Sequence, residues 1–276
     1  MQFFDHHVHT NYSRCVHQPY SIDAALEIAL GRGFVEGIGI TNHVHFNSPE
    51  QEHLMISRAE IDSINETLGV ERLLLGVEVD VDHPSGRFVM SEKSLELVDY
   101  VIAGPHNLPH ESLAMDGMGH EEFSEYFGTL EEIIVNSLSK NPIDIWVHPF
   151  LQEIEISGEF FSDYLFTMLP AILDILETNR IAMEISATFS RDKGYPLKMP
   201  GVDTRDEAWL QEARITNKIY TMALDHGGIS FSFASDAHDL ENVGDIGLPI
   251  VTAKMLGIPG DRVLHLRDLE KRHGAH

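Results

Sequence analysis

Short apolar runs alternate with longer amphipathic stretches along most of the chain. The runs are Phe3 to Thr10, Val35 to Thr41, Leu73 to Val79, Leu97 to Ala103, Ile143 to Val147, Ile181 to Ile185 and Ile229 to Ala234. Their length and largely apolar make-up predict buried strands, the first being an apolar pair that leads into a histidine-rich end. Between them, apolar residues recur at helical spacing over Ser21 to Gly33, where a Ser can cap the start and a Gly can end the helix, and over Glu121 to Ser139, Ser162 to Asn179 and Asp206 to Asp225. Two more helices are predicted in the tail, around Ile250 to Leu256 and Gly260 to Arg272. Strand and helix in alternation imply parallel strands and right-handed crossovers, so the predicted class is α/β. No repeat, low-complexity stretch or long linker divides residues 1–276, and a single domain is expected. Two irregular segments, Pro105 to Gly119 and Tyr195 to Thr204, follow strands and are candidate lids or specificity loops.

The polar residues that end these runs carry the chemistry. His7 and His9 stand two apart in a strand and therefore share a face, a pincer of two imidazoles suited to a metal ion. Asp236 and His238 repeat the spacing near the other end of the chain. His43, Glu78, His106, His148 and Glu184 each fall at or just past the end of another run. A (β/α) barrel gathers its site from the C-terminal ends of its strands, which would bring all of these to one mouth. His45, Asp80 and Asp82 continue the alternation from His43 and Glu78 and read as rim residues.

Composition sharpens this reading. There are 17 His against 19 Lys and Arg together, an imidazole share that surface solubility does not require. The formal net charge of −25 argues against a long nucleic-acid partner, because binding a polyanion rests on Lys and Arg. Divalent cations would invert the local field, so a small anionic substrate held at a metal cluster stays compatible with the acidic total. A single Cys excludes an intramolecular disulfide, and with no signal-like start and no apolar run long enough to span a bilayer, the expected compartment is the cytoplasm. The oligomeric state is not readable from the sequence.

Taken together, Asp5-x-His7-x-His9-Thr10 with Ser13, Thr41-Asn42-His43, Glu78, Gly104-Pro105-His106, His148-Pro149 and Ser235-Asp236-Ala237-His238 resemble the ordered motifs of the PHP family, which includes the monofunctional histidinol phosphatases. The resemblance runs from about residue 3 to about residue 247. It implies a distorted (β/α)7 barrel resembling a TIM barrel, with two or three divalent cations (Zn, Mn, Fe or Co) at its mouth. It further implies that His7, His9, Glu78 and Asp236 hold one cation and that Glu78 bridges to a second held by His106 and His148. His43 and His238 would hold a third with a residue from the segment after Ser13. Family members place a His or Asp where this chain has Cys15; His17, slightly beyond, is the favoured substitute, with Cys15 expected only to pack. Asn42 stands where the family commonly has Asp, and Pro105 where it commonly has Ser.

The chemistry so implied is hydrolysis of a phosphate monoester by a metal-bridged hydroxide, with histidinol phosphate the substrate the resemblance suggests. Asp236 or His238 would route a proton to the leaving oxygen. A guanidinium gripping two phosphate oxygens is expected from Arg191, with Arg14 and Lys193 as alternatives. Glu184 would orient a ligand or contact a substrate amine. The competing readings are a phosphodiesterase or nuclease acting on nucleotides or short oligonucleotides, and a non-catalytic metal-binding regulatory module.

Overall fold

The computed structural model describes residues 2–44, 50–87, 90–106, 120–151, 153–154, 159–187, 207–265 and 268–269. Its strands are β1 (Phe3–Val8), β2 (Val35–Ile40), β3 (His43–Val44), β4 (Leu73–Asp80), β5 (Tyr100–Gly104), β6 (Ile145–Trp146), β7 (Ala182–Ser186) and β8 (Phe231–Ala234). The helices between them are α1 (Ile22–Gly31), α2 (Glu50–Leu68), α3 (Glu92–Leu95), α4 (His120–Lys140), α5 (Glu159–Asn179), α6 (Glu207–His226) and α7 (Gly247–Leu256).

Every strand pairing is parallel, in the spatial order β1-β2-β4-β5-β6-β7-β8, and the two-residue β3 extends the line of β2 along β4. The path curls until its ends meet. Beyond β8 the Asp236 N–H donates to the His7 carbonyl at 2.9 Å, and the His9 N–H donates to the Ala237 carbonyl at 3.1 Å. The Asp5 carboxylate seals the same seam from within, accepting from the N–H groups of Ser235 at 2.8 Å and Gly244 at 3.0 Å. The result is the α/β barrel of seven strands expected from the alternation, nearly closed, with helices outside.

Two apolar layers follow from strand geometry. Phe4, Leu74, Tyr100, Ile102, Ile145, Val147 and Ala182 fill the barrel interior, while the opposite faces of the strands join the helices in a larger core. Tyr100 dominates the interior, where its hydroxyl donates to the His6 carbonyl at 2.6 Å. The adjacent strand β4 and the next one, β2, carry Gly76 and Gly39, at which a methyl group would overlap the Tyr100 ring or hydroxyl.

Several boundaries depart from the sequence pattern. Helix α2 was not foreseen: its fully buried apolar residues, Leu54 and Ile61, lie seven apart and give only a narrow stripe. Leu97 and Val98 precede β5 rather than belonging to it, and β6 is shorter than its apolar run. Of the tail helix expected over Gly260 to Arg272, Gly260–Arg262 form a 3₁₀ turn, after which Val263 forms a β-bridge with Phe231 and the Leu264 N–H donates to the Phe231 carbonyl at 2.8 Å; Asp268 and Leu269 are helical, and residues 266–267 and 270–272 lie outside the described residues. That edge contact competes successfully with helix continuation. Nearly all of Pro105 to Gly119 and the whole of Tyr195 to Thr204 lie outside the described residues.

Candidate metal centre

The mouth is built at the C-terminal ends of the strands. Alternation delivers some of its residues directly: Leu74, Gly76, Glu78 and Asp80 share the inner face of β4, and Tyr100, Ile102, Gly104 and His106 that of β5 and its continuation. Two others arrive through breaks in alternation. Phe4 faces the interior while Val8 joins the outer core, and the pairing register of β1 on β2 shifts between Asp5 and Val8. Such an irregularity re-aims side chains, and here it turns His7 and His9 into the barrel. After β6, His148 takes φ 28° and Phe150 φ 62°, and Asp236 after β8 takes φ 49°, left-handed values that L-residues adopt at a cost of about 1–3 kcal/mol each. Two candidate ligands are therefore presented by strained turns. Gly104 is required beside them, since a methyl group there would meet Val147 and the His148 ring.

Glu78, fully buried, is the centre. Its Oε2 lies 3.2 Å from His7 Nε2, 3.3 Å from His9 Nε2 and 3.1 Å from His43 Nδ1, and among the described residues it accepts no hydrogen bond. Its Oε1 lies 2.9 Å from His106 Nε2 and 3.2 Å from His148 Nε2. Asp236 Oδ1 completes the first group at 3.4 Å from His7 Nε2 and 3.3 Å from His9 Nε2.

The hydrogen bonds around these rings fix which nitrogens carry protons. His7 Nδ1 donates to Glu184 Oε2 at 2.9 Å, because a carboxylate can only accept. The Thr10 N–H donates to Asn42 Oδ1 at 2.7 Å, which sets the amide orientation; the Ser13 hydroxyl then gives its one proton to Asn42 Oδ1 at 2.9 Å and accepts from His9 Nδ1 at 3.1 Å. Tyr20 donates to the His9 carbonyl, and the His238 Nδ1–H donates to the Asp236 carbonyl at 3.1 Å. His7 Nε2 and His9 Nε2 are thus left facing each other at 3.1 Å. His106 Nε2 and His148 Nε2 stand likewise 3.2 Å apart, with Asp80 Oδ1 3.0 Å from His106 Nδ1.

Paired lone pairs aimed at a shared carboxylate repel unless a cation sits among them. The first group has the right size: its five measured separations span 3.1 to 3.4 Å, against an edge of about 3.3–3.4 Å for a regular tetrahedron with ligand bonds of about 2.0–2.1 Å. In the metal-free chain, protons have to substitute. Burial alone would lower His7 and His106, but the surrounding carboxylates override it, holding His7 well above the ordinary histidine range and His106 at about 10. Burial opposes the charged forms of Glu78 and Asp236 too, yet the neighbouring imidazoles hold both well below the usual carboxylate range. Burial lowers His9 to about 4 and His43 to about 3, keeping both neutral and competent as ligands.

Of the residues singled out in the sequence, His7, His9, His43, Glu78, His106, His148, Asp236 and His238 come together at this mouth. His17 does not. A tight turn, in which the Ser13 N–H donates to the Thr10 carbonyl at 2.9 Å and the Val16 N–H to the Ser13 carbonyl at 3.3 Å, carries Cys15 inward, and the His17 side chain is left 78% exposed beside Asp239. Burial pushes the Cys15 thiol up to about 12. Asp80 is buried against His106 rather than on the rim, whereas Asp82 is exposed as expected. Glu184 is spent inside the protein: besides His7, it accepts from the His148 N–H at 3.1 Å. Asn42 accepts from Thr10 and Ser13 as an Asp could, and its Nδ2 adds a bond to Thr10 Oγ1 at 2.9 Å. Arg14 is exposed on the turn beside Cys15, while Arg191, Lys193 and His45 lie outside the described residues.

A (β/α)7 barrel with imidazoles and carboxylates converging at its mouth defines the class. Among solved structures it is similar to histidinol phosphate phosphatase from Lactococcus lactis subsp. lactis Il1403, crystallised with zinc, L-histidinol and phosphate, with a TM-score of 0.64 and 16% identity over 92% of this chain and 92% of that one. A structure from Listeria monocytogenes, provisionally assigned as a histidinol phosphatase, gives a TM-score of 0.60 and 14% identity over 90% of this chain and 99% of that one. These likenesses bear out the fold that the PHP resemblance implies. In sequence, the chain is 22% identical over 270 residues to the DNA polymerase/3'-5' exonuclease PolX of Bacillus subtilis (strain 168), covering 96% of this chain and 39% of that protein, so it spans well under half of the relative's length. No protein-family model matches the chain.

Proposed function

We propose that the protein is a metal-dependent phosphoesterase that hydrolyses a small phosphate monoester, with histidinol phosphate the first candidate. The observation that carries this reading is Glu78, whose two oxygens each face a separate set of imidazole nitrogens across distances that suit shared cations. A fold in common with a phosphatase that binds zinc, histidinol and phosphate supports the substrate class. Two cations seated there would neutralise phosphate oxygens and make a water nucleophilic near neutral pH.

The protein's part is preorganisation. Glu78 fixes the separation of the two ligand sets, while Glu184, Ser13 and Asp80 hold the rings of His7, His9 and His106 so that Nε2 faces inward. Asp236, held ionised by the histidines around it, is a poor proton donor. The side chain of His238 is 30% exposed, and its Nε2 is better placed to pass a proton to the leaving oxygen. Arg14 is an exposed cation on the same turn and a candidate for gripping the phosphate, as is Arg191.

A second reading rests on the relative that carries a 3'-5' exonuclease in its name: a nuclease acting on nucleotide ends. Phosphate release from histidinol phosphate, sugar phosphates and nucleoside monophosphates, run beside nucleotide release from a short oligonucleotide, separates the two. Preferential turnover of one small monoester is expected. Turnover of the oligonucleotide alone would replace the first reading with the second, and no turnover by fully metal-loaded protein would favour the regulatory module.

A further inference from the structure

We propose that Asn42 is a positioning residue that locks the tautomer of His9 through Ser13 and so keeps His9 Nε2 open to a cation. The inference rests on reading the mouth as a metal centre and deepens it by naming a residue outside the ligand set on which the first group depends.

Asn42 sits where the sheet changes partners. Strand β2 runs beside β1 as far as the Val8–Ile40 pair, and β3 continues along β4 with His43 opposite Glu78. At the junction the Thr10 N–H lies past the end of the β1–β2 ladder, and the Asn42 side chain accepts it at 2.7 Å where a backbone carbonyl would otherwise stand. The Asn42 carbonyl accepts in turn from the Glu78 N–H at 3.3 Å. One buried residue therefore ties the end of β1 to the strand that carries Glu78.

The Ser13 hydroxyl has one proton to give and two lone pairs to fill. All three are in use: it donates to Asn42 Oδ1 at 2.9 Å and accepts from the His9 Nδ1–H and the His43 N–H, each at 3.1 Å. Asn42 sets the direction of this chain, because its Oδ1, already facing the Thr10 N–H, can only accept. Without that oxygen the Ser13 proton is free to turn towards His9 Nδ1. The ring would then accept at Nδ1 and carry its own proton on Nε2, the atom that faces Glu78 and Asp236. A protonated Nε2 has no lone pair to offer a cation.

An aspartate at this position would keep the direction. One oxygen would accept from Thr10 N–H and Ser13 as before, and the second would accept from the Thr10 hydroxyl in place of the amide's donation to it. It would also bury a negative charge one serine away from His9. That charge costs stability in the metal-free chain and attracts a dication. Hydrogen bonding and charge are thus separable by two substitutions, Asn42→Ala and Asn42→Asp.

The test is the zinc affinity of the whole protein, measured by competition with a chelating dye and read beside the melting temperature of the metal-free chain. Asn42→Ala and Ser13→Ala are each expected to weaken zinc binding by about 10–100-fold. The double variant should lose no more than Ser13→Ala alone, since without the hydroxyl there is no proton to misdirect. Asn42→Asp should bind zinc at least as tightly as the native chain and melt lower without metal, opposite signs that a merely structural role would not produce. Should Asn42→Ala fail to fold, Asn42→Asp carries the test by itself. Native affinity in Asn42→Ala, losses that multiply in the double variant, or weakened zinc binding in Asn42→Asp would each overturn the lock and leave the proposed function standing. A native chain that binds no zinc would overturn both.

Discussion

Proton placement decides what the site's histidines can do. A ring that donates through Nδ1 to a carboxylate or hydroxyl is locked with its Nε2 lone pair outward, and Glu184 does this for His7 as Ser13 does for His9. Residues that touch no metal should therefore control metal binding. Glu184→Gln or Ser13→Ala is expected to weaken zinc affinity by about 10–100-fold, measured by competition with a chelating dye, with the fold unchanged by circular dichroism; Asp82→Asn, on the exposed rim, should leave affinity unaltered. Equal affinity in all three variants would mean that the hydrogen bonds do not orient the rings. At this scale the sequence was informative about residue type and poor about direction. The ligand candidates at strand ends were legible because a strand end limits where a side chain can go. Asp80 was misread because the same alternation fits a rim or a buried position, and spacing alone does not reveal that a turn tightens at Ser13 and leaves the His17 side chain exposed.

Among the elements, the barrel interior sets the position of the mouth. Tyr100 stands beneath the ligands, bonded to the His6 carbonyl one residue before the first of them, and Gly39 and Gly76 leave the space its ring fills. Tyr100→Phe should cost about 1–3 kcal/mol by stranding the buried carbonyl, and Gly39→Ala at least about 1–3 kcal/mol by overpacking; chemical denaturation of the metal-free chain checks both, and a neutral Gly39→Ala would contradict the packing described here. The parallel order and the barrel were legible from seven apolar runs ending in polar residues, whereas parity was not. The shift in β1 and the positive φ at His148 and Asp236 override strict alternation, and nothing in a hydrophobic pattern marks where such a break falls. Helix α2 stayed hidden because its buried stripe is narrow, and the expected tail helix is interrupted at Val263, which found a strand to pair with.

For the whole molecule, cations and protons compete for one buried cluster. His106 is held at about 10 in the fold against an ordinary 6.5, so its contribution to metal-free stability is complete below about 6.5 and lost as the pH climbs through about 10. Metal binding runs the other way, since imidazoles must shed protons to coordinate. The melting temperature of the metal-free protein should fall from pH 6.5 to pH 10, and the gain on adding zinc should widen over the same range. Scanning calorimetry with and without a chelator reads both; a metal-free melting temperature that rose with pH would refute the paired-charge description of the cluster. Among the described residues no helix is long and apolar enough to cross a membrane. The net charge of −25 places the cluster in an acidic protein, where bound cations would supply the positive field that an anionic substrate needs.

The most direct test of the central claim joins metal content to turnover in one set of samples. Native protein, His9→Ala and Asp236→Ala are stripped, reloaded with zinc or manganese, assayed for bound metal, and followed for phosphate release from histidinol phosphate and a generic monoester. The account predicts that reloading restores both metal and turnover to the native chain, and that each substitution removes them together. Turnover that persists without bound metal, in the stripped chain or in either variant, would contradict it.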